Sequence, residues 1–207
     1  MHQESLTKDT ERVLEALSGA GLIENFYLAG GTALALYYGH RFSVDLDWFA
    51  ESFSCTPAFR EGLSRIGKLS IDSESENTLN GSLDGVRVSF FEYPYPLIAP
   101  KIQYKNIYLA SKPDIAVMKL EAVARRGTYK DFIDLYFLLK EYNLEELLGF
   151  LKKKFAGIEY NEIHLVKSLT YFEDVEEGEM PEMITETKWS DVKKSLTEAV
   201  ENYIKDK

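Results

Sequence analysis

The stretch Gly30–Phe49, GGTALALYYGHRFSVDLDWF, decides how the N-terminal half is read. Asn25–Ala29 before it (NFYLA) reads as a short buried strand, and Gly30-Gly31 breaks it. Thr32 stands as N-cap to the run ALALYYG, with Gly39 just past its end. Val44–Phe49 (VDLDWF) alternates apolar and acidic residues as a strand with one buried face does. Residues two apart on a strand point the same way, so Asp45 and Asp47 share one face and Val44, Leu46 and Trp48 the core side. The order is strand, Gly-Gly turn, helix, short loop and D-x-D strand. That order is far more specific than any of its parts.

Two carboxylates side by side repel unless a cation sits between them. Hard oxygen ligands in such a pair suit Mg²⁺, or Mn²⁺ in its place, with substrate phosphates completing the shell. The plainer reading of Asp45-x-Asp47 is the exposed edge of an amphipathic strand. Glycine at a strand-to-helix turn lets backbone approach a ligand closely, and the helix N-terminus favours phosphate. Gly30, Gly31 and Thr32 are therefore candidate phosphate-binding residues, although a tight turn alone would use the same glycines. His40, Arg41 and Ser43 lie in the loop before the D-x-D strand, where they would contact phosphates or serve simply as a polar connector.

Outward from this block, apolar positions at Leu6, Val13, Leu14 and Leu17 predict an opening helix over residues 6–18. A second helix is predicted at 57–67, then strands at Lys68–Asp72, Thr78–Leu83 and Val86–Phe91, with Asp84-Gly85 as a hairpin turn. Tyr93-Pro-Tyr-Pro leaves the sheet in an extended path, and Asn106–Ala110 is one more short strand. From Lys112 the pattern becomes helical, at 113–126, 130–142, 144–155, 161–172 and 189–205, with the acidic stretch 173–187 as a loop. The expected architecture is α+β: a mixed sheet with flanking helices over residues 1–111, then a helical part over 112–207.

The chain has 207 residues and a net charge of -10, from 34 acidic and 24 basic side chains. That balance disfavours broad DNA binding, which neutralises many phosphates at once, but leaves room for one nucleic-acid end in a local basic site. A single cysteine, Cys55, excludes an intramolecular disulfide framework. No stretch approaches the roughly 18 uninterrupted apolar residues of a membrane span. The N-terminal MHQESLTKDTERV has neither the basic nor the apolar region of a secretory signal, so a cytoplasmic location is expected.

In the helical part, Lys119 is flanked at three and four residues by Ile115, Ala116, Ala122 and Val123. A lysine in such an apolar stripe either snorkels at its edge or meets an anionic partner. Asp134 lies on the next predicted helix, with Asp131 one turn earlier, where an exposed helix start also favours aspartate. Arg125, Arg126 and Lys130 surround the turn Gly127-Thr128-Tyr129, as a phosphate-neutralising cluster or a solvated helix end.

The Gly-Gly turn before a D-x-D strand resembles the nucleotidyltransferase superfamily related to polymerase beta. More narrowly, AGGTALALYYGHRFSVDLDWF, with its His-Arg-x-Ser-x-Asp-x-Asp run, resembles the AbiEii/AbiGii family of toxin nucleotidyltransferases. The resemblance continues in KLEAVARRGTYKDFIDLYFLL, residues 119–139, where that family has a lysine, basic residues and an aspartate. It implies a nucleotidyltransferase-like fold whose helical part completes the active-site cleft. It implies Lys119 and Asp134 as active-site residues beside Asp45 and Asp47; Arg126, from the basic cluster, is a candidate nucleotide-binding residue. It further implies a nucleoside triphosphate substrate, an RNA acceptor such as a tRNA 3′ end, and a toxin role opposed by a separate antitoxin protein. The pattern departs at one place: superfamily members carry a third carboxylate on a later strand, and here that position holds Ser89, with Glu92 on the opposite face. Ser89 motivates an alternative, a catalytically silent nucleotide-binding or interaction module. A third reading is a metal-dependent phosphohydrolase or nuclease using the same D-x-D.

Overall fold

The computed structural model describes residues 1–175 and 178–205, which form two compact units, Met1–Ser111 and Lys112–Lys207.

The first unit is built on seven strands: β1 (Tyr27–Leu28), β2 (Leu46–Ala50), β3 (Leu69–Ser75), β4 (Thr78–Leu83), β5 (Val86–Glu92), β6 (Ile102–Tyr104) and β7 (Ile107–Leu109). They make one mixed sheet in the order β3-β4-β5-β2-β1-β7-β6. β2 runs parallel to β5 and antiparallel to β1, β1 runs parallel to β7, and the remaining neighbours are antiparallel. Asp84 and Gly85 both have positive φ, 50° and 84°, as a tight two-residue hairpin between β4 and β5 requires.

Three helices accompany the sheet: α1 (Lys8–Gly19), α2 (Gly30–Tyr38) and α3 (Pro57–Ile66). α1 is amphipathic and packs Val13, Leu14 and Leu17 inward, against α3 and β5. Phe26, Phe53, Phe59 and Phe90 interlock edge-to-face on that side of the sheet, with centroids 5.0–5.5 Å apart in the closest pairs. α2 has no polar side: Thr32, Ala33, Leu34, Ala35 and Leu36 are all buried, as expected of a helix that is apolar all round.

Several expected boundaries move. Leu6 lies outside α1, which starts at Lys8 behind the N-cap Thr7, and instead forms an isolated bridge with Ser43. Thr32 is not an N-cap. The helix begins at Gly30 behind Ala29, which places Thr32 inside the first turn. β2 begins at Leu46 rather than Val44, and Val44 is 45% exposed rather than in the core. The reason is a long-range partner: Ser43 N–H bonds to the Ser5 carbonyl (3.0 Å), so the backbone before β2 is committed to the N-terminal segment, not to the sheet. β6, absent from the expected strands, is a three-residue edge strand too short to show a period.

The second unit contains α4 (Lys112–Arg125), α5 (Tyr129–Leu138), α6 (Leu144–Lys154), α7 (Glu162–Ser168) and α8 (Trp189–Lys205). α5 stops at Leu138 and α7 at Ser168, each one turn short of its expected end, because turn hydrogen bonds replace the helical ladder there. A 3₁₀ turn occupies Glu173–Val175 at the start of the expected acidic loop, of which positions 176 and 177 lie outside the described residues. α4 is central and packs on α5, α6 and α7. Its first-turn Asp114 forms a fully buried ion pair with Lys154 of α6 (2.7 Å). Breaking such a pair from one side strands a buried charge. Lys154→Met should therefore lower the unfolding free energy by about 3–5 kcal/mol in chemical denaturation, and adding Asp114→Leu should recover most of the loss.

Candidate active site

In the first unit the D-x-D segment is held by α2. The Thr32 hydroxyl donates to the Asp45 carbonyl. Its single hydrogen is thereby used, so Ser43 is the donor in the 2.8 Å bond between the Ser43 and Thr32 hydroxyls. On the other side, Ala29 N–H bonds to the Asp47 carbonyl (3.0 Å), which ties the start of the helix to β2. Both aspartates are partly exposed, while their neighbours Leu46 and Trp48 are fully buried.

Gly30 is required twice over. Its φ is +65°, and a Cβ there would stand 3.0 Å from Asp47 Oδ2. The close approach aims the Asp47 carboxylate at the N-terminus of α2, whose first-turn N–H groups have no acceptor within the helix. A Cβ on Gly31 would strike the Arg41 guanidinium, so Arg41 lies along the same turn. Arg41 is only 2% exposed, donates to the Phe42 carbonyl (3.1 Å), and brings its positive charge to the phosphate-favouring end of the helix. His40 is buried too, edge-on to Tyr38 at 6.0 Å. Gly30, Gly31, Thr32, Arg41, Ser43, Asp45 and Asp47 thus form one connected cluster, and His40, Arg41 and Ser43 of the expected loop are buried.

The sheet register extends this cluster sideways. Asp47 pairs with Ser89 of β5, and Ser89 with Asn80 of β4, giving a polar row on the face opposite the core. Ser89 therefore stands beside Asp47 where a third carboxylate would be. Glu92 pairs with Ala50, three residues away, and its carboxylate accepts from the Asn77 amide (2.6 Å). Among the described residues, no group of three or more His, Cys, Asp or Glu side chains is placed to share a metal ion. The Asp47 carboxylate beside a helix N-terminus, with the partly exposed Asp45 two residues before it, still matches the one-or-two-carboxylate pattern by which Mg²⁺ is held together with substrate phosphates.

In the second unit Lys119 is buried between two carboxylates, 2.9 Å from Asp131 and 2.8 Å from Asp134. It does not snorkel; its anionic partners come from α5. Asp131 also accepts from the Thr128 N–H (3.2 Å) and hydroxyl (2.7 Å), closing the first turn of α5. Arg126 is exposed in the turn between α4 and α5.

These features coincide with relationships visible across the whole chain. Residues 12–105 and 88–203 match the family described as the nucleotidyl transferase AbiEii toxin of type IV toxin–antitoxin systems. The chain belongs to the AbiEii nucleotidyltransferase toxin family. An uncharacterized protein of Aquifex aeolicus (strain VF5) is 42% identical over 209 residues, covering 96% of this chain and 98% of the relative. Two solved structures share the fold. A putative nucleotidyltransferase from H. pylori superposes with a TM-score of 0.61 at 19% identity, covering 97% of this chain and 96% of its own. MenT4, a nucleotidyltransferase toxin from Mycobacterium tuberculosis H37Rv, gives 0.55 at 14% identity, covering 94% and 84%. The mixed sheet with flanking helices is accordingly a nucleotidyltransferase fold, and the AbiEii chain is a nucleotidyltransferase.

In this family member Asp131 does more than begin a helix: it pairs with Lys119 and caps α5. Thr128-x-x-Asp131 has capping-box spacing, which marks a helix start but not a partner for Lys119. Burial pushes the Asp131 carboxyl up, and the Lys119 ammonium with the Thr128 and Lys119 hydrogen bonds outweighs it, leaving the pKa below its ordinary 3.8. A carboxyl whose folded pKa is depressed stabilises fully above its unfolded pKa and loses that contribution as pH falls through the folded one. Melting temperature should therefore drop below about pH 4, and Asp131→Asn should flatten that acid limb while lowering the plateau above it. Gly30→Ala should cost roughly 1–2 kcal/mol for the left-handed backbone alone, read by thermal unfolding, because Asp47 also blocks the added methyl.

Proposed function

We propose that this AbiEii-family chain moves a nucleoside monophosphate from a nucleoside triphosphate to a hydroxyl of an RNA end, with Mg²⁺ or Mn²⁺ bound at Asp45 and Asp47. The observation that carries the reading is the Asp47 carboxylate parked against Gly30, at the N-terminus of α2 and beside the buried Arg41. A bound divalent ion there would offset the charge of the triphosphate and of the transition state. The amides of Gly30, Gly31 and Thr32 would hold the phosphates, with Arg41 supplying positive charge along the same turn. His40, Thr32 and Ser43 would act through packing and hydrogen bonds that keep the two aspartates in place.

The reaction forms a bond from the acceptor oxygen to the α-phosphorus, breaks the bond to pyrophosphate, and releases the acceptor proton. Positioning and electrostatics would provide most of the rate, as in phosphoryl transfer generally. Lys119 and Asp134 are proposed as active-site residues on the family pattern, and the 2.8 Å contact favours Asp134 as a group that orients the lysine. Arg126, exposed in its turn, would meet the acceptor backbone. As for other members of a toxin family, the chain would be restrained by a separately encoded antitoxin. No helix among the described residues is long and apolar enough to cross a membrane, which suits a cytoplasmic RNA substrate.

Incubation with α-labelled nucleotides, Mg²⁺ and total RNA should place label on RNA. Asp45→Asn and Asp47→Asn should each reduce transfer by about a hundredfold or more, the usual scale for losing charge stabilisation at a reacting phosphate. Transfer that persists in both variants, or release of free phosphate with no label on RNA, would reject the assignment.

A further inference from the structure

Beside the aspartates, the same face of the sheet carries a feature that phosphate binding does not use. Tyr27, Phe49 and Phe91 stand in register on β1, β2 and β5, one pleat along from the row Asp47–Ser89–Asn80. Their rings form a row of nearly parallel plates, with centroids 6.1 Å apart for Tyr27–Phe49 and 5.2 Å for Phe49–Phe91, at interplanar angles of 22° and 28°. Tyr27 is buried, whereas Phe49 and Phe91 are half-buried. The register neighbour of Phe91 on β4 is the short Thr78, so the row ends in a step rather than another large ring. Thr78, Asn80 and Ser82 alternate on this same face, and the Asn80 amide donates to Ser73 of β3 (3.2 Å). The result is a shelf over β5 and β4 with an aromatic end plate at Phe91 and a polar floor at Ser89 and Asn80.

Which substrate meets that shelf follows from the direction of the reaction. The attacking and leaving oxygens of phosphoryl transfer lie roughly in line through phosphorus. Asp47 has α2 and β1 on one side, through Gly30 and the Ala29 N–H, and β5 on the other. Phosphates and the departing pyrophosphate held at α2 therefore leave the β5 side for the incoming hydroxyl. We infer that the Ser89–Asn80–Phe91 shelf is the acceptor subsite, where the terminal base of a single-stranded RNA stacks on Phe91 with its edge toward Asn80. Neutral groups suit this place, since a strand end brings its own negative charge close to two aspartates. Strand spacing of about 4.8 Å puts Ser89 one strand and Asn80 two strands from Asp47, the reach of a terminal nucleoside. The inference rests on the proposed nucleotidyl transfer and specifies its acceptor side.

Two measurements on the full chain test it. In the transfer assay with total RNA, Phe91→Leu and Asn80→Ala should raise the KM for RNA at least about fivefold, the low end of base–aromatic stacking, with the KM for nucleotide nearly unchanged. Phe91→Tyr, which keeps the ring, should restore the wild-type value, and the unmoved nucleotide KM in Phe91→Leu separates lost stacking from a general packing defect. Separately, and without turnover, the added fluorescence of Phe91→Trp should be quenched by a single-stranded RNA oligonucleotide and not by nucleoside triphosphate, and Asn80→Ala should weaken the RNA quench. Label transfer in the wild type with RNA KM unmoved in Phe91→Leu and no quench in Phe91→Trp overturns the shelf but leaves the transferase reading standing. Quenching by RNA with no label transfer supports the shelf and overturns that reading. A rise in nucleotide KM, or quenching by nucleotide instead of RNA, assigns the ring to the other substrate and sinks the inference.

Discussion

Asp45 and Asp47, two residues apart, are both pinned through their backbone carbonyls to the start of α2, and the site in the first unit depends on that attachment. Asp45 is held through its carbonyl by Thr32, and Asp47 through its carbonyl by the Ala29 N–H. Both restraints come from the start of α2, a helix with no solvent-facing polar side to let it drift. The absence of a side chain at Gly30 then allows the Asp47 carboxylate to lie against the helix N-terminus, where the dipole favours a negative charge. Helix, glycine and strand act as one unit, and a change in any of them is felt by the carboxylates.

The helical unit answers the opposite problem, that of keeping a cation out of water. Lys119 is buried, and an isolated ammonium there would be costly, so α5 provides Asp131 and Asp134 together. Asp131 at the same time closes the first turn of α5 through Thr128. Position of the helix start and position of the lysine are thus coupled through one carboxylate. The Asp114–Lys154 pair uses the same device between α4 and α6. Among the described residues of this small helical unit charge is buried at two places, each time with complementary partners, in keeping with the rule that buried ions are paired.

Ser89 is the point at which this AbiEii-family chain departs from a three-carboxylate arrangement. The register with Asp47 shows that serine occupies the neighbouring position on the same face, so no shift of the strand brings Glu92 into it. With fewer negative charges beside the D-x-D pair, an approaching strand end meets less repulsion. The neutral row from Ser89 to Asn80 and the stacked rings one pleat away follow from ordinary alternation along β2, β5 and β4. A polar row next to an aromatic row on one sheet face is a surface suited to a nucleotide, with its sugar–phosphate part and its base side by side.

Much of this was written in local sequence. The Gly-Gly turn, the apolar ALAL run, the D-x-D alternation and the Asp84-Gly85 hairpin each depend on neighbours a few residues away, so strand, helix and turn could be read without tertiary information. The family resemblance lay in the same contiguous blocks. Tertiary structure alone decided what long-range partners decide. Ser43 paired with the N-terminal segment and shortened β2, Thr32 turned from cap to clamp, and His40 and Arg41 went from loop to interior. Asp131 became a partner of Lys119 across two helices, and Asn80 came to stand two strands from Asp47. None of these could be read from spacing, because a hydrogen bond or ion pair between distant segments depends on where the chain returns in space, which periodicity along the chain does not encode.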